Sequence, residues 1–192
     1  VATLKTNNVE KYLRSFAKAV IKRGKKILKA KGKSGKLSDS LNYRLEATSK
    51  GYNLVFKGED YAAFVDKGVS GTKKRRMFIN IDGRRKKSPF SYKAGLGNSP
   101  NIGALMKWIS RKGIKGRDIG YTKKDGTKVK GTGRFIKTKS LAMLFSKSIQ
   151  REGLASTSFF SKAMSIELAT FDIDLLENFK ADILTHFETL EV

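Results

Sequence analysis

From Phe160 onward an apolar residue recurs every three or four positions: Phe160, Met164, Leu168, Phe171, Leu175, Phe179, Ile183, Phe187 and Leu190. Only an α-helix brings residues at that spacing onto one face. A continuous helix over 159–190 would be roughly 45 Å long, more than the core of a small domain covers. The pattern leaves three readings: a break near Asp172–Asp174, a neighbouring subunit on which part of the helix docks, or a helix buried against the chain's own sheet. A second stretch of the same kind stands near the start. Val9, Leu13, Phe16, Val20 and Ile27 fall at helical spacing, with Ala17, Ile21 and Leu28 widening the stripe, and Asn7 with Glu10 resembles a capping box. Gly32, Ser34 and Gly35 mark the exit.

Between these helices lie short runs rich in strand formers. Leu41–Ser49 and Tyr52–Gly58, about a Lys50-Gly51 turn, predict a β-hairpin, and Met77–Ile81 a third strand. Asp60 can cap a short helix that stops at Gly68. Residues 82–100 carry both prolines and several glycines and read as a long exposed loop. Ser99-Pro100 opens a helix lined by Ile102, Leu105, Met106 and Ile109 and ended by Gly113. Tyr121–Lys130, around Asp125-Gly126, forms a small hairpin. Thr138 caps a further helix through Leu141, Leu144, Phe145 and Ile149 to Gly153. The expected fold is α+β: a small antiparallel sheet packed by long N- and C-terminal helices, with a helical insertion and long basic loops. One domain spans 1–192, with 82–139 a loop-rich insertion and 154–192 an acidic helical segment.

Charge narrows the function. The chain carries 41 Lys and Arg against 17 Asp and Glu, a net +24. Residues 154–192 hold two bases and seven acids, so residues 1–153 carry a net +29. Such self-repulsion calls for a polyanion or an acidic protein surface to offset it. The bases gather at Lys22–Lys36, at Lys73, Lys74, Arg75 and Arg76 with their echo Arg84, Arg85, Lys86 and Lys87, and diffusely over Lys107–Lys139. Separated Lys and Arg suit phosphate contact with counterion release. No aromatic stacking motif of the RRM kind accompanies them, so base reading is not expected. Without cysteine, disulfides and thiolate metal sites are excluded, and the single His186 leaves most His-based metal sites and the Ser-His-Asp triad out of reach. No apolar run is of membrane-spanning length, and no signal-like stretch opens the chain. These features describe a soluble, basic, non-enzymatic protein with no cofactor and no metal.

Two motifs, in their order, are informative: DYAAFVDKGVSGTK (60–73), directly after the hairpin, and GLASTSFFSKAM (153–164), entering the last helical stretch. This arrangement resembles the tailed-bacteriophage head–tail connector and tail-completion (neck) proteins. In that family an N-terminal helix and hairpin precede a Tyr-Ala-x-x-Val-Asp/Glu-x-Gly-Thr-like segment, and a Pro-Phe-Leu-like motif later opens a C-terminal helix. The matching positions here are Tyr61, Ala62, Val65, Asp66, Gly68 and Gly71-Thr72, then Phe159 and Phe160, with Ser158 where the family often has Pro. Trp108–Ile114 and Ser140–Leu154 look like its larger members, and the resemblance covers most of 9–187. It implies a structural virion protein in the neck or tail, assembled in the host cytoplasm. The protein would form a homo-oligomeric ring between the portal or adaptor and the tail proteins, through which phage DNA passes. Composition alone leaves the alternative of a sequence-independent nucleic-acid-binding protein.

Within the first motif, Tyr61, Phe64 and Val65 are expected to pack against the hairpin, and Gly68 to free the chain to project the basic cluster. Glu59, Asp60 and Asp66 beside lysines would suit a cation-dependent nuclease, although acids at helix starts ordinarily cap. The Lys73–Arg76 and Arg84–Lys87 clusters flank one strand and should leave it from opposite ends, as candidate contacts to DNA or to an adjoining ring.

Overall fold

The computed structural model describes residues 6–33, 35–49, 51–95 and 99–188. In chain order the elements are α1 (Asn7–Ala30), α2 (Lys36–Ser40), β1 (Asn42–Thr48), β2 (Gly51–Lys57), α3 (Ala62–Lys67), β3 (Val69–Ser70), β4 (Met77–Ile79), β5 (Arg85–Lys87), α4 (Ile102–Lys112), β6 (Gly120–Thr122), β7 (Lys128–Lys130), α5 (Thr138–Glu152), β8 (Gly153–Leu154), α6 (Phe159–Glu167) and α7 (Phe171–Glu188). The fold is mixed helix and sheet, with small antiparallel ladders and long helices near both ends. The sequence reading draws one domain with an insertion over 82–139. The chain divides into two compact units: Val1–Gly68, Met77–Pro89 and Ala155–Val192 form the first, and Val69–Arg76 with Phe90–Leu154 the second.

In the first unit α1 buries Val9, Leu13, Phe16, Ala17, Val20 and Leu28, the stripe expected from its periodicity. Phe16 and Val20 meet Ala163 of α6, and Leu54, Phe56, Phe160, Met164 and Phe171 close around them. Full burial of each large apolar side chain stabilises by roughly 1.5–3 kcal/mol, so α1 and α6 hold the unit together. Gly24 sits where these helices cross, and a Cβ there would lie 3.5 Å from the Phe159 ring. A larger side chain would push α6 away. The β1–β2 hairpin pairs Asn42 with Lys57 through Thr48 with Gly51. Its turn thus precedes Gly51, which already belongs to β2 at φ 133°; Lys50, like Ser34, Gly97 and Leu190, lies outside the described residues.

Met77–Ile79 does not join that hairpin. It pairs instead with β5, Met77 opposite Lys87 and Ile79 opposite Arg85, as a separate ladder. The 82–100 stretch is therefore not all loop. The Asn80 carbonyl accepts from Gly83 N–H at 2.9 Å and Asn80 N–H donates to the Arg84 carbonyl at 2.8 Å, with Gly83 at φ 76°. This is a type I turn with a bulge glycine, a standard hairpin closure.

The second unit packs α4 on α5. Ile109, Leu141 and Ala142 are buried, with Ile102, Leu105, Met106, Ile114, Ile136 and Phe145 around them. Leu144, expected in this stripe, is more than half exposed. The cap of α4 is Asn101, whose side chain accepts from Ala104 N–H at 3.0 Å, and not Ser99. Thr138 is the first residue of α5 rather than its cap. The β6–β7 hairpin closes where Asp125-Gly126 predicts, with Thr127 N–H donating to Asp125.

Other helix starts differ more. Asn7 and Glu10 form no capping box: Glu10 pairs with Arg14, and α1 is capped from the far end of the chain. Asp182 of α7, 3% exposed, accepts from Asn8 and Val9 N–H at 2.9 and 3.0 Å. The C-terminal helical stretch breaks at Leu168–Thr170, ahead of the acids expected to break it. Asp172 and Asp174 open α7, where carboxylates favour the positive end of a helix dipole. No helix among the described residues is long and apolar enough to cross a membrane.

Candidate functional site

The two motifs that carry the family resemblance form one joint. Asp66, in the last turn of α3 and 4% exposed, accepts from Phe160 N–H at 2.8 Å, from Ser161 N–H at 3.2 Å and from the Ser161 hydroxyl. These N–H groups belong to the first turn of α6, which has no partners within the helix, so Asp66 is a cap donated from 94 residues away. The favour is returned. Thr157 donates both its N–H and its hydroxyl to the Val65 carbonyl at 3.0 and 2.8 Å, and Ser158 N–H donates to the Asp66 carbonyl at 2.9 Å. The orphan carbonyls at the end of α3 are thereby satisfied by the residues that lead into α6.

Ser158 holds a backbone conformation that proline cannot adopt. Its φ is 49°, in the left-handed region, whereas a proline ring holds φ near −65°. Its hydroxyl also accepts from Ile79 N–H at 2.9 Å, tying β4 to the same joint. Gly68, at φ 70°, turns the chain out of α3, and its carbonyl accepts from the Ser88 hydroxyl at 2.7 Å.

The motif residues divide between core and surface. Ala62 and Val65 pack with Leu28, Leu37 and buried Phe159, and Phe160 meets the Phe56 ring edge-on at 5.2 Å. Tyr61 and Phe64, expected to pack against the hairpin, are 42% and 45% exposed. In a six-residue helix whose inward positions are Ala62, Val65 and Asp66, they fall on the outer side. The three acids of the nuclease reading do not converge. Asp66 is used on α6, Glu59 pairs with Lys36 at 3.2 Å, and Asp60 caps no helix. Among the described residues no group of three or more acids or His is placed to hold a metal ion. His186 lies half-buried beside Phe187 on α7.

The basic clusters also separate into roles. In the second unit, residues 71–76 cover the end of α5. Thr72 and Lys73 N–H donate to the Gln150 and Arg151 carbonyls, and the Arg76 guanidinium donates to the Glu152 carbonyl at 2.8 Å and to that of Gly153 at 3.4 Å. A Cβ on Gly71 would lie 2.1 Å from the Arg151 carbonyl oxygen, so only glycine fits this approach. Arg76 is thus a structural cap, while Lys73, Lys74 and Arg75 remain exposed.

In the first unit Arg85, Lys86 and Lys87 are strand β5 and run back beside β4, not beyond its far end. Lys86 pairs with Asp82 at 2.9 Å. That ion pair, with the Arg84 N–H, holds the Asp82 carboxyl down at about 2. Arg84, Arg85 and Lys87 are exposed.

The second unit holds most of the positive field, with 19 bases against three acids, a net +16, where the larger first unit has +8. Two of its three acids serve turns: the Asp118 carboxylate accepts from Thr132 and Gly120, and Asp125 from Thr127, which lowers both carboxyls. The β6–β7 hairpin exposes Lys123, Lys124, Lys128 and Lys130, and Arg117 lies over the Phe135 ring at 4.6 Å. Two aromatic side chains, Tyr121 and Phe135, lie exposed among these bases. The Lys107–Lys139 stretch, diffuse along the sequence, belongs with Lys73–Arg75 to one unit.

Compared with protein-family models, curated proteins and solved structures, the chain has no significant match.

Proposed function

We propose that this chain is a structural protein of a tailed-phage neck. It assembles as a homo-oligomeric ring, joins the portal or adaptor to the tail and lets DNA pass. The observation that carries this reading is the Asp66 joint: the two motifs on which the resemblance rests meet, and their polar groups are occupied in capping each other's helices. A motif whose carboxylate is buried and fully engaged serves a scaffold. The charge of the second unit suits nonspecific contact with the DNA such a ring encloses, through Lys73, Lys74 and Arg75 and the β6–β7 lysines. Arg84, Arg85 and Lys87 of the first unit are then the candidates for an adjoining ring.

The net +16 of the second unit favours one alternative, a sequence-independent nucleic-acid-binding protein. Light scattering after size exclusion, at low and high salt, with negative-stain imaging, separates the two. Closed rings support the neck reading. A monomer that retards duplex DNA with a steep salt dependence replaces it with the alternative.

A further inference from the structure

The first unit carries a groove of about 290 Å³ beside the Asp66 joint, lined by Ile21, Leu41, Phe56, Ala63, Ile81 and Phe160. That volume is at the small end for a ligand pocket and suits a pair of apolar side chains. Lys57 and Lys67 stand at its edge, and Lys18, Lys22 and Lys25 line an adjoining shallow hollow that shares Ile21 and Leu41. The one acid in the lining, Asp66, is committed to α6. Among the described residues the ion pairs use Arg14, Arg23, Lys36, Arg44 and Lys86, none of them on this rim. The groove is apolar within and cationic around.

Helix α7 has the opposite character. Ile173, Leu176, Leu184 and Phe187 are 64%, 53%, 63% and 60% exposed, and at about 100° per residue they fall within one arc of the helix, interrupted midway by exposed Lys180. Glu177 and Glu188 flank that arc on one side and Asp172 on the other, all exposed. An exposed apolar stripe of this extent marks an interaction surface.

A chain's own α7 does not reach its own groove. Asp182 sits at Asn8 and Val9, while Phe171 meets Phe16 with ring centroids 4.7 Å apart, so α7 runs antiparallel to α1. Its last turns therefore lie at the start of α1. The groove begins at Val20, about 16 Å further along that helix.

We infer that the last turns of α7 from a second copy of this chain dock in the groove, with Leu184 and Phe187 entering it and Glu177 and Glu188 meeting the lysine rim. The contact joins two different patches, so it propagates head to tail and closes into a ring when the rotation allows. It rests on the ring reading above and names the surface through which the ring forms.

Because the chain lacks cysteine, the test can use introduced thiols. Full-length Phe187→Cys is mixed with a size-tagged full-length Ile81→Cys under mild oxidation, and the mixed disulfide is read on a gel. The expected result is a cross-linked pair of one tagged and one untagged copy. Adding Leu184→Glu to the first partner should lower its yield about tenfold or more, since losing one buried Leu costs that much affinity. Leu184→Glu alone should leave the circular-dichroism spectrum of the folded chain unchanged, because the residue is exposed, while converting oligomer to monomer. Oligomers that persist in Leu184→Glu without the cross-link overturn the contact and leave the ring reading standing. A wild-type chain that is monomeric at every concentration overturns both. If copies associate only on added duplex DNA and no cross-link forms, DNA joins them and the contact is again overturned.

Discussion

Replacing Asp66 by Ala tests the joint directly. The buried carboxylate accepts two backbone N–H groups and one hydroxyl. Loss of a helix cap alone costs about 0.5–2 kcal/mol. The change also leaves Phe160 and Ser161 N–H without an acceptor, and each orphaned buried donor adds about 1–3 kcal/mol. Part of this overlaps with the cap term, so the expected destabilisation is about 3 kcal/mol. For a chain of this length that lowers the melting temperature by roughly 6–12 °C. Asp66→Asn, which keeps one carbonyl acceptor, should fall between wild type and Ala. Asp60→Ala, at an exposed position that caps no helix, should stay within about 0.5 kcal/mol. Thermal melting followed by circular dichroism, with urea titration for the free energies, gives all four values. A double-mutant cycle with Ser161→Ala should reveal coupling between the two side chains. If Asp66→Ala melts with wild type, the cap reasoning is wrong. If Asp66→Asn leaves stability intact yet removes a divalent-cation-dependent cleavage of DNA, Asp66 belongs to an active site and the scaffold reading fails with it.

Three further outcomes are expected. Ser158→Pro should destabilise by about 3 kcal/mol or more, since the ring cannot reach φ 49° and the acceptor for Ile79 N–H is lost; Ser158→Gly should cost less, and urea unfolding distinguishes them. Tyr12 should ionise late in a spectrophotometric titration, at about 12, because burial and then the neighbouring Asp174 disfavour the phenolate. Its folded value is raised above the unfolded 10.0, so its stabilisation is complete below pH 10 and is lost as pH rises toward 12; a Tyr12→Phe variant should show a shallower loss of stability over that window. Truncation after Gly153 removes Phe159, Phe160, Ala163 and Phe171 from the core of the first unit. At roughly 1.5–3 kcal/mol for each large side chain, against a typical total of about 5–15 kcal/mol, the unit should lose its cooperative melt. A truncated chain that keeps it would make α6 and α7 a dispensable arm.

Much of this architecture was legible along the chain. The buried face of α1 follows its helical period from Val9 to Leu28, because neighbours three and four apart must share a face. Gly113 and Gly153, at φ 63° and 72°, end their helices where the pattern stops, and Asp125-Gly126 closes its hairpin through its own local bonds. These features depend on residues within one or two turns of each other. The resemblance to neck proteins likewise rests on local strings; of its positions, Ala62 and Val65 pack half-buried against Phe159.

What tertiary structure decided was the pairing of distant polar groups and the sharing of a helix face between core and solvent. Asn7 and Glu10 satisfy the local rule for a capping box, yet Asp182 holds that helix start from 174 residues away. Asp66 reads as a surface acid beside lysines until α6 arrives to use it. Period alone cannot separate Phe171, which packs on Phe16, from Phe187, which is exposed, since both carry the same apolar signal. Whether a residue of that stripe is buried depends on where α1 ends, a fact written in another part of the chain. Local spacing therefore determined the elements, and only their docking could determine which carboxylates became caps and which apolar side chains were left for a neighbour.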